Sequence, residues 1–315
     1  MNNKQKEKAI GYLLRIGAVI IWGLEPLIIR YSPISDIRFD LQAPLLLLGA
    51  TIFTFLSVLF LGKKVVKENY KLKLDWYFVV MALSMMALIL FLILGSQYTS
   101  GTSFILLGGF APILALLIGF IFWKTSTSYF SDRANILKMF IVFFLGGVGV
   151  LFIFYKDIVF GNSKSLIGDI FAICYMFADV AFAIAQIRYT KRFKGYEVYF
   201  LNFYLYFVTF LSVLPLMIYY YSYFLHLPFV SIVWAIGLGI LWGLGTLLTF
   251  EAYKRMDGFI AFLMFNISIL ITIFVESFVL EEIKITSHLL WGASLIIGAS
   301  ILAEVINTNS EKANI

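Results

Sequence analysis

Charge is scarce in this 315-residue chain: Asp, Glu, Lys and Arg together make up 13% of it, about half the ~25% usual for soluble domains. Against 62% hydrophobic residues, that leaves too little polar material to clothe a water-soluble body of this length. There is a single cysteine, Cys174, which excludes an intramolecular disulfide, and the two histidines, His226 and His288, are too few for a Cys/His metal cluster. No Gly-rich loop leads into Lys-Ser or Lys-Thr, so the chain has no phosphate cradle and does not drive transport by nucleotide hydrolysis itself. The net charge of +6 is scattered along the chain and forms no basic face, which argues against nucleic-acid binding. No cofactor and no metal are expected.

Long apolar runs are what the sequence has in abundance. A membrane-spanning helix takes about 20 mostly apolar residues. Ten runs bounded by charge, proline or glycine come near that length: Ile10–Ile29, Leu41–Leu61, Trp76–Leu94, Thr102–Trp123, Ile136–Tyr155, Leu166–Ile187, Val198–Tyr221, Phe229–Phe250, Phe259–Leu280 and Leu289–Ile306. They use roughly 200 residues and leave on the order of ten for each connection, so no sizeable extramembrane domain is expected. The fold class is all-α integral membrane, with ten transmembrane helices. Lys4, Lys6 and Lys8 precede the first run as they would a signal peptide. No small-residue cleavage site follows, and Glu25-Pro26 interrupts the apolar stretch, so the run reads as a mature helix.

The positions of Lys and Arg set an orientation. With the N-terminus inside, Arg30, Arg38, Lys156, Lys164 and Lys284 face outward, and the other 19 of the 24 cations fall on the cytoplasmic side. Both termini are then cytoplasmic, in a multi-pass protein of the cell membrane.

Shifting the sequence by about 157 residues lays one half on the other. Gly95–Gly101 falls on Ala252–Gly258, Phe110-Ala111-Pro112-Ile113 falls within a residue of Phe265-Asn266-Ile267-Ser268, and Gly146–Leu151 falls near Ile297–Leu302. Ile29-Arg30-Tyr31 likewise echoes Ile187-Arg188-Tyr189. Five spans per half is an odd number, so the second half enters the membrane inverted. The expected units are residues 1–160 and 161–315, two inverted five-helix repeats about a pseudo-two-fold axis in the membrane plane, an arrangement suited to alternating access around one central site.

Trp22-Gly23 in the first span, Ala111-Pro112-Ile113 in the fourth, and Leu280-Glu281-Glu282 with Ile285-Thr286 before a Gly292…Gly298 helix give the chain a family likeness. It resembles the drug/metabolite transporter superfamily, in particular the EamA type with ten helices in two repeats. Two departures stand out: Trp123-Lys124-Thr125 replaces the family's acidic segment in the first half, and Glu281 stands at its glycine. The resemblance implies secondary transport of a small organic solute without saying which, since the superfamily spans amino acids, nucleotide sugars, choline-like cations and drugs.

An ionisable group at mid-membrane depth costs roughly 2.5–3.5 kcal/mol on insertion scales, and so marks a candidate site. Glu25 lies well inside the first span, one turn beyond Trp22 and next to Pro26, on a face shared with Arg15. Asp179 sits at the centre of the sixth span on a stripe with Tyr175, Phe182 and Gln186. Under the repeat offset the two carboxylates come within about a turn of symmetry-related positions, so both are expected to face one central cavity. There they would bind an organic cation with help from the aromatic faces of Trp22, Tyr175, Phe182 and Trp242, or carry a coupling proton. Asn266, in mid-span, joins the candidates. The structural alternative pairs Glu25 with Arg30 and Asp179 with a hydroxyl. Glu251 is expected to pair with Lys254, and Glu276 to reach toward the interface.

The leading functional class is therefore a secondary carrier, an exporter or proton-coupled exchanger of a small metabolite. The alternatives are an importer of a cationic or zwitterionic metabolite, an integral-membrane enzyme and a non-transporting interaction protein. An enzyme would call for acids or histidines clustered at a membrane face, and the chain has no such cluster in sequence. The expected partners are a small-molecule substrate, the lipid bilayer and a proton; whether two copies form a homodimer is left open.

Overall fold

The computed structural model describes residues 3–61, 75–122, 140–149, 151–152, 163–190, 197–256, 258–282 and 284–313, and among these the chain is helical with no strand. In chain order the helices are α1 (Asn3–Tyr31), α2 (Phe39–Leu61), α3 (Trp76–Tyr98), α4 (Gly101–Gly108), α5 (Ala111–Phe122), α6 (Phe140–Gly149), α7 (Ser163–Thr190), α8 (Glu197–Tyr219), α9 (Phe229–Arg255), α10 (Gly258–Leu263), α11 (Ile267–Phe274) and α12 (Ser287–Ala313). Seven segments are long and apolar enough to cross a membrane: those of α1, α2, α3, α7, α8 and α9, and the composite run Ala261–Val279 through α10 and α11. At 1.5 Å per residue, their 19 to 27 residues span about 28–40 Å, enough for the ~30 Å hydrocarbon layer. The protein is an all-helical, multi-pass membrane protein. Near the expected spans Thr102–Trp123, Ile136–Tyr155 and Leu289–Ile306 run the shorter apolar helices Gly101–Ala115, Phe140–Gly149 and Ser287–Ala299. The cations of 63–73, 124–138, 156 and 191–194, on which the orientation rests, lie outside the described residues, as does Trp123-Lys124-Thr125.

Local sequence explains several helix starts. Asp75 caps α3 by accepting from the backbone N–H of Tyr77 at 3.0 Å and Phe78 at 3.3 Å, and Ser100 caps α4 by accepting from Ser103 N–H at 3.1 Å. Large apolar side chains such as Phe60, Phe144, Ile218, Phe229 and Trp291 point outward. Lipid is as apolar as they are, so between helices close packing has to replace hydrophobic drive.

Glycine supplies that closeness. α3 lies along α7, α1 along α9, and α2 packs on both α9 and α8. At the α2–α9 contact, a Cβ on Gly239 would stand 2.0 Å from the carbonyl oxygen of Leu46, and one on Gly49 would stand 2.1 Å from that of Ile236. Gly23 brings α1 close to α11, where an added Cβ would stand 2.9 Å from the Ser268 carbonyl oxygen and Thr272 donates its hydroxyl to the Gly23 carbonyl at 2.6 Å.

Two helices are broken in mid-course. α4 gives way at Gly109-Phe110 to α5, and α10 passes through a 3-10 turn, Met264–Asn266, into α11. The breaks touch: a Cβ on Gly109 would meet Ile269 Cδ1 at 2.5 Å and Asn266 Oδ1 at 3.0 Å.

Polar groups seal the end of the bundle where α1 and α3 finish and α4 begins. Glu276 is fully buried in a widened π-turn, Val275–Val279, that follows α11. Its carboxylate accepts from the backbone N–H of Gly101 at 3.0 Å and Thr102 at 2.6 Å, and from the Tyr31 hydroxyl at 2.8 Å. Those two N–H groups open α4 and have no partner within their own helix, and the helix dipole favours an anion there. Glu276 therefore turns inward to a helix start and not outward to the interface. Beside it Arg30 donates to the carbonyls of Ser96 and Thr99 at the end of α3, which leaves the Glu25–Arg30 pair unformed. Thr99 also donates its hydroxyl to Asp169 at 2.9 Å.

Gly239→Ala is expected to force α2 and α9 apart and cost about 1–3 kcal/mol, seen as a lower unfolding temperature of the detergent-purified protein. Gly237→Ala, two residues away with nothing within 4 Å of the added methyl, should leave it unchanged; equal losses would refute the close-packing account. Glu276→Ala, which strips two buried N–H groups of their acceptor, is expected to cost about 1.5–3 kcal/mol in a denaturation titration in mixed micelles.

Candidate functional site

Helices α1, α3, α7 and α9, with the broken helix α10, line a cavity among the described residues. Its empty space, the open mouth included, is about 490 Å³. Each wall is one face of a helix at the spacing that helical periodicity requires. α7 contributes Tyr175, Asp179, Phe182, Ala183 and Gln186; α9 contributes Trp242, Thr246, Thr249 and Tyr253; α1 contributes Arg15 and Trp22. Met85 and Leu88 of α3 and Phe262 and Phe265 beside the second helix break complete it. Asp179 and Trp242 lie near the midpoints of their spans, Leu166–Thr190 and Phe229–Arg255.

The aromatic walls are fixed by their neighbours. Trp22 fits against Gly245, where an added Cβ would stand 2.9 Å from its ring, and it meets Trp242 edge to face with ring centroids 5.8 Å apart. Tyr175 packs on Phe104 at 4.9 Å. Behind α9, the Tyr206 hydroxyl sits 2.6 Å from Thr246 Oγ1 and donates to the Trp242 carbonyl at 3.1 Å, while Asn202 donates to the Gly243 carbonyl at 3.1 Å.

Arg15 is the largest departure from the sequence reading, which counted it among the cytoplasmic cations. It is 2% exposed and belongs to the cavity wall. Its Nε donates to the Ala261 carbonyl at 2.6 Å and its Nη1 to Thr249 Oγ1 at 2.8 Å, and its guanidinium lies 5.9 Å from the centre of the Tyr253 ring. The position was signalled: Arg15 stands two turns before Trp22 on the same helical face.

Of the residues expected from sequence, Trp22, Tyr175, Asp179, Phe182 and Trp242 meet in this cavity. Glu25 and Asn266 are not among its lining residues. Glu25 is 1% exposed and near enough to Asp179 for their charges to repel, with Tyr175 and Tyr206 also within its field. Asn266 lies against Gly109 where the two breaks touch. Thr246, Thr249 and Tyr253, on the same face of α9 as Trp242, also line the cavity. Glu251 pairs with Lys254 at 3.1 Å, as expected, and also with Arg255, which binds Glu7 of α1 at 3.3 Å.

Several polar atoms of the cavity lack a partner. Asp179 Oδ2, Gln186 Nε2 and Trp242 Nε1 are buried without a hydrogen-bond partner, as is Glu25 Oε1 close by. A buried polar group left unpaired costs about 1–3 kcal/mol, so four around one cavity form a site with open hydrogen-bonding capacity for a polar guest.

No family model and no curated protein matches the sequence. Among solved structures, one described only as the crystal structure of a protein superposes on this chain with a TM-score of 0.61 at 15% identity. The match spans 95% of this chain and 98% of that one. At that identity the two share a fold, an arrangement of helices over nearly their whole lengths.

Proposed function

We propose that the protein is a secondary carrier of the EamA type within the drug/metabolite transporter superfamily. In this reading its ten spans form two inverted five-helix repeats, 1–160 and 161–315. It exports a small organic metabolite across the cytoplasmic membrane in exchange for protons, by alternating access to the central cavity, with both termini cytoplasmic. The observation that carries the proposal is the cavity itself: an aromatic-lined space at mid-span where Asp179 Oδ2, Gln186 Nε2 and Trp242 Nε1 are buried without a hydrogen-bond partner. A fixed interaction scaffold has no use for such a space.

Several relations fit the inverted repeat. The two breaks begin alike, Gly101 of α4 and Gly258 of α10 being 157 residues apart, as are Gly109 and Asn266 where the breaks touch. The packing of α3 along α7 becomes, under the same offset, that of α9 along α1. Glycines recur at both: Gly168 faces Thr99, and 157 residues away the pair becomes Gly11 and Met256. Glu281 has φ 55°, a left-handed conformation that glycine takes without strain, at the place where the family has glycine.

The related contacts differ in tightness, and that difference suits alternating access. A Cβ on Gly168 would lie 2.6 Å from the backbone of Thr99, whereas one on Gly11 would lie 3.1 Å from Arg255 Cβ and 3.4 Å from Met256 Cγ. With the N-terminus inside, the sealed end built on Glu276 is the outer one. The cavity residues Arg15, Gln186, Thr249 and Tyr253 then lie toward the cytoplasm. The conformation is closed to the outside, as an exporter awaiting cargo would be.

In proteoliposomes, the protein should exchange solute down an imposed pH gradient. Glu25→Gln is expected to abolish the pH dependence while the protein stays folded, and Asp179→Asn to lower uptake by roughly tenfold or more, the scale of losing one hydrogen bond to a charged group. Unaltered flux and pH response in both variants would overturn the proposal.

A further inference from the structure

Resting on the carrier reading, the charges of the cavity narrow its cargo. Two of the lining groups carry opposite charge: the guanidinium of Arg15 and the carboxylate of Asp179. They attract one another, yet no ion pair joins them among the described residues. Arg15 is held in place by the Ala261 carbonyl and Thr249, bonds that use two of its five N–H groups. Gln186 Nε2 and Trp242 Nε1 add two unpartnered donors, and Asp179 Oδ2 an unpartnered acceptor.

We infer that the cavity binds a zwitterion, a small metabolite carrying a cationic nitrogen and a carboxylate on an apolar frame. The carboxylate faces Arg15, with Gln186 and Trp242 as further donors. The cationic nitrogen faces Asp179 and the ring faces of Tyr175 and Phe182. Singly charged guests fit worse. A bare amine would sit in the same low-dielectric space as an unanswered guanidinium, and a bare carboxylate would meet Asp179 with Glu25 nearby. In such surroundings like charges repel far more strongly than in water. A zwitterion answers both charges at once and leaves the net charge of the site unchanged.

A matched set of probes tests this on the full-length purified protein: leucine and 6-aminohexanoate as zwitterions with near and distant charges, 3-methylbutylamine as the amine and 4-methylpentanoate as the acid. At least one zwitterion is expected to raise the unfolding temperature and to bind at least about tenfold more tightly than both singly charged probes. Arg15→Gln should weaken the zwitterion by about tenfold and tighten the amine, which no longer meets the guanidinium; Asp179→Asn should weaken both. The wild-type ranking stands by itself if Arg15→Gln, having lost its tether to Ala261, fails to fold. An amine or acid that binds as tightly as the zwitterions overturns the inference, and so does binding by none of the four. Counterflow in proteoliposomes separates it from the carrier reading. A zwitterion that binds without flux overturns the carrier and keeps the site; flux confined to the amine or the acid keeps the carrier and overturns the zwitterion.

Discussion

A polar group sealed away from water must find a partner, and most of this structure can be read as the enforcement of that rule. The backbone satisfies it by being helical. Where a helix starts or ends inside the protein, a side chain completes the account: Glu276 for the first N–H groups of α4 and Arg30 for the last carbonyls of α3. Glu276 comes from the other half of the chain, so its cap also ties the two halves together. Unpartnered atoms occur at the sealed end too, on Ser96, Thr102 and Ser277, but around the central cavity they belong to Asp179, Gln186 and Trp242, which line one space.

The same rule explains why the broken helices face each other. A break frees backbone groups, which lipid cannot satisfy and protein can. Gly109 allows the turn between α4 and α5 to approach Asn266 closely, so the two irregular segments bury each other in the interior. One of them delivers Phe265 and, through α10, Phe262 to the cavity and offers the Ala261 carbonyl to Arg15. Irregular backbone, glycine contacts and the charged cavity are thus one connected feature.

Much of the fold was legible because apolar runs near 20 residues admit few structures in lipid: seven of the ten runs appear as long apolar helices, and three as shorter ones among the described residues. The cavity was legible in part. Trp22, Tyr175, Asp179, Phe182 and Trp242 stood out as polar or aromatic positions at mid-span, where such residues are costly or conspicuous. Arg15 was signalled only by the helical face it shares with Trp22 and Glu25, because a cation twelve residues into a helix that carries three lysines in its first turns looks like one more interfacial charge; only the third dimension reveals Thr249 and Ala261 beside it. Glu276 was misread for a related reason. Its partners, the N–H groups of Gly101 and Thr102, belong to backbone some 175 residues away, and no side-chain pattern records where a distant helix begins.

Arg15 also connects cargo to motion. Its guanidinium touches α9 through Thr249, α10 through the Ala261 carbonyl and the ring of Tyr253, while its own helix α1 carries Trp22 and Glu25. A ligand shifts a conformational equilibrium only by binding one state more tightly than the other. A carboxylate placed on Arg15 takes up N–H groups that Ala261 and Thr249 leave free, so it binds the same guanidinium that holds α1 to the broken helix. That contact lies on the side of the cavity away from the Glu276 seal. In the carrier reading, the group that recognises the anionic half of the cargo is therefore also the one that ties α1 to α10 beneath it, so recognition and the hold between the helices share one guanidinium.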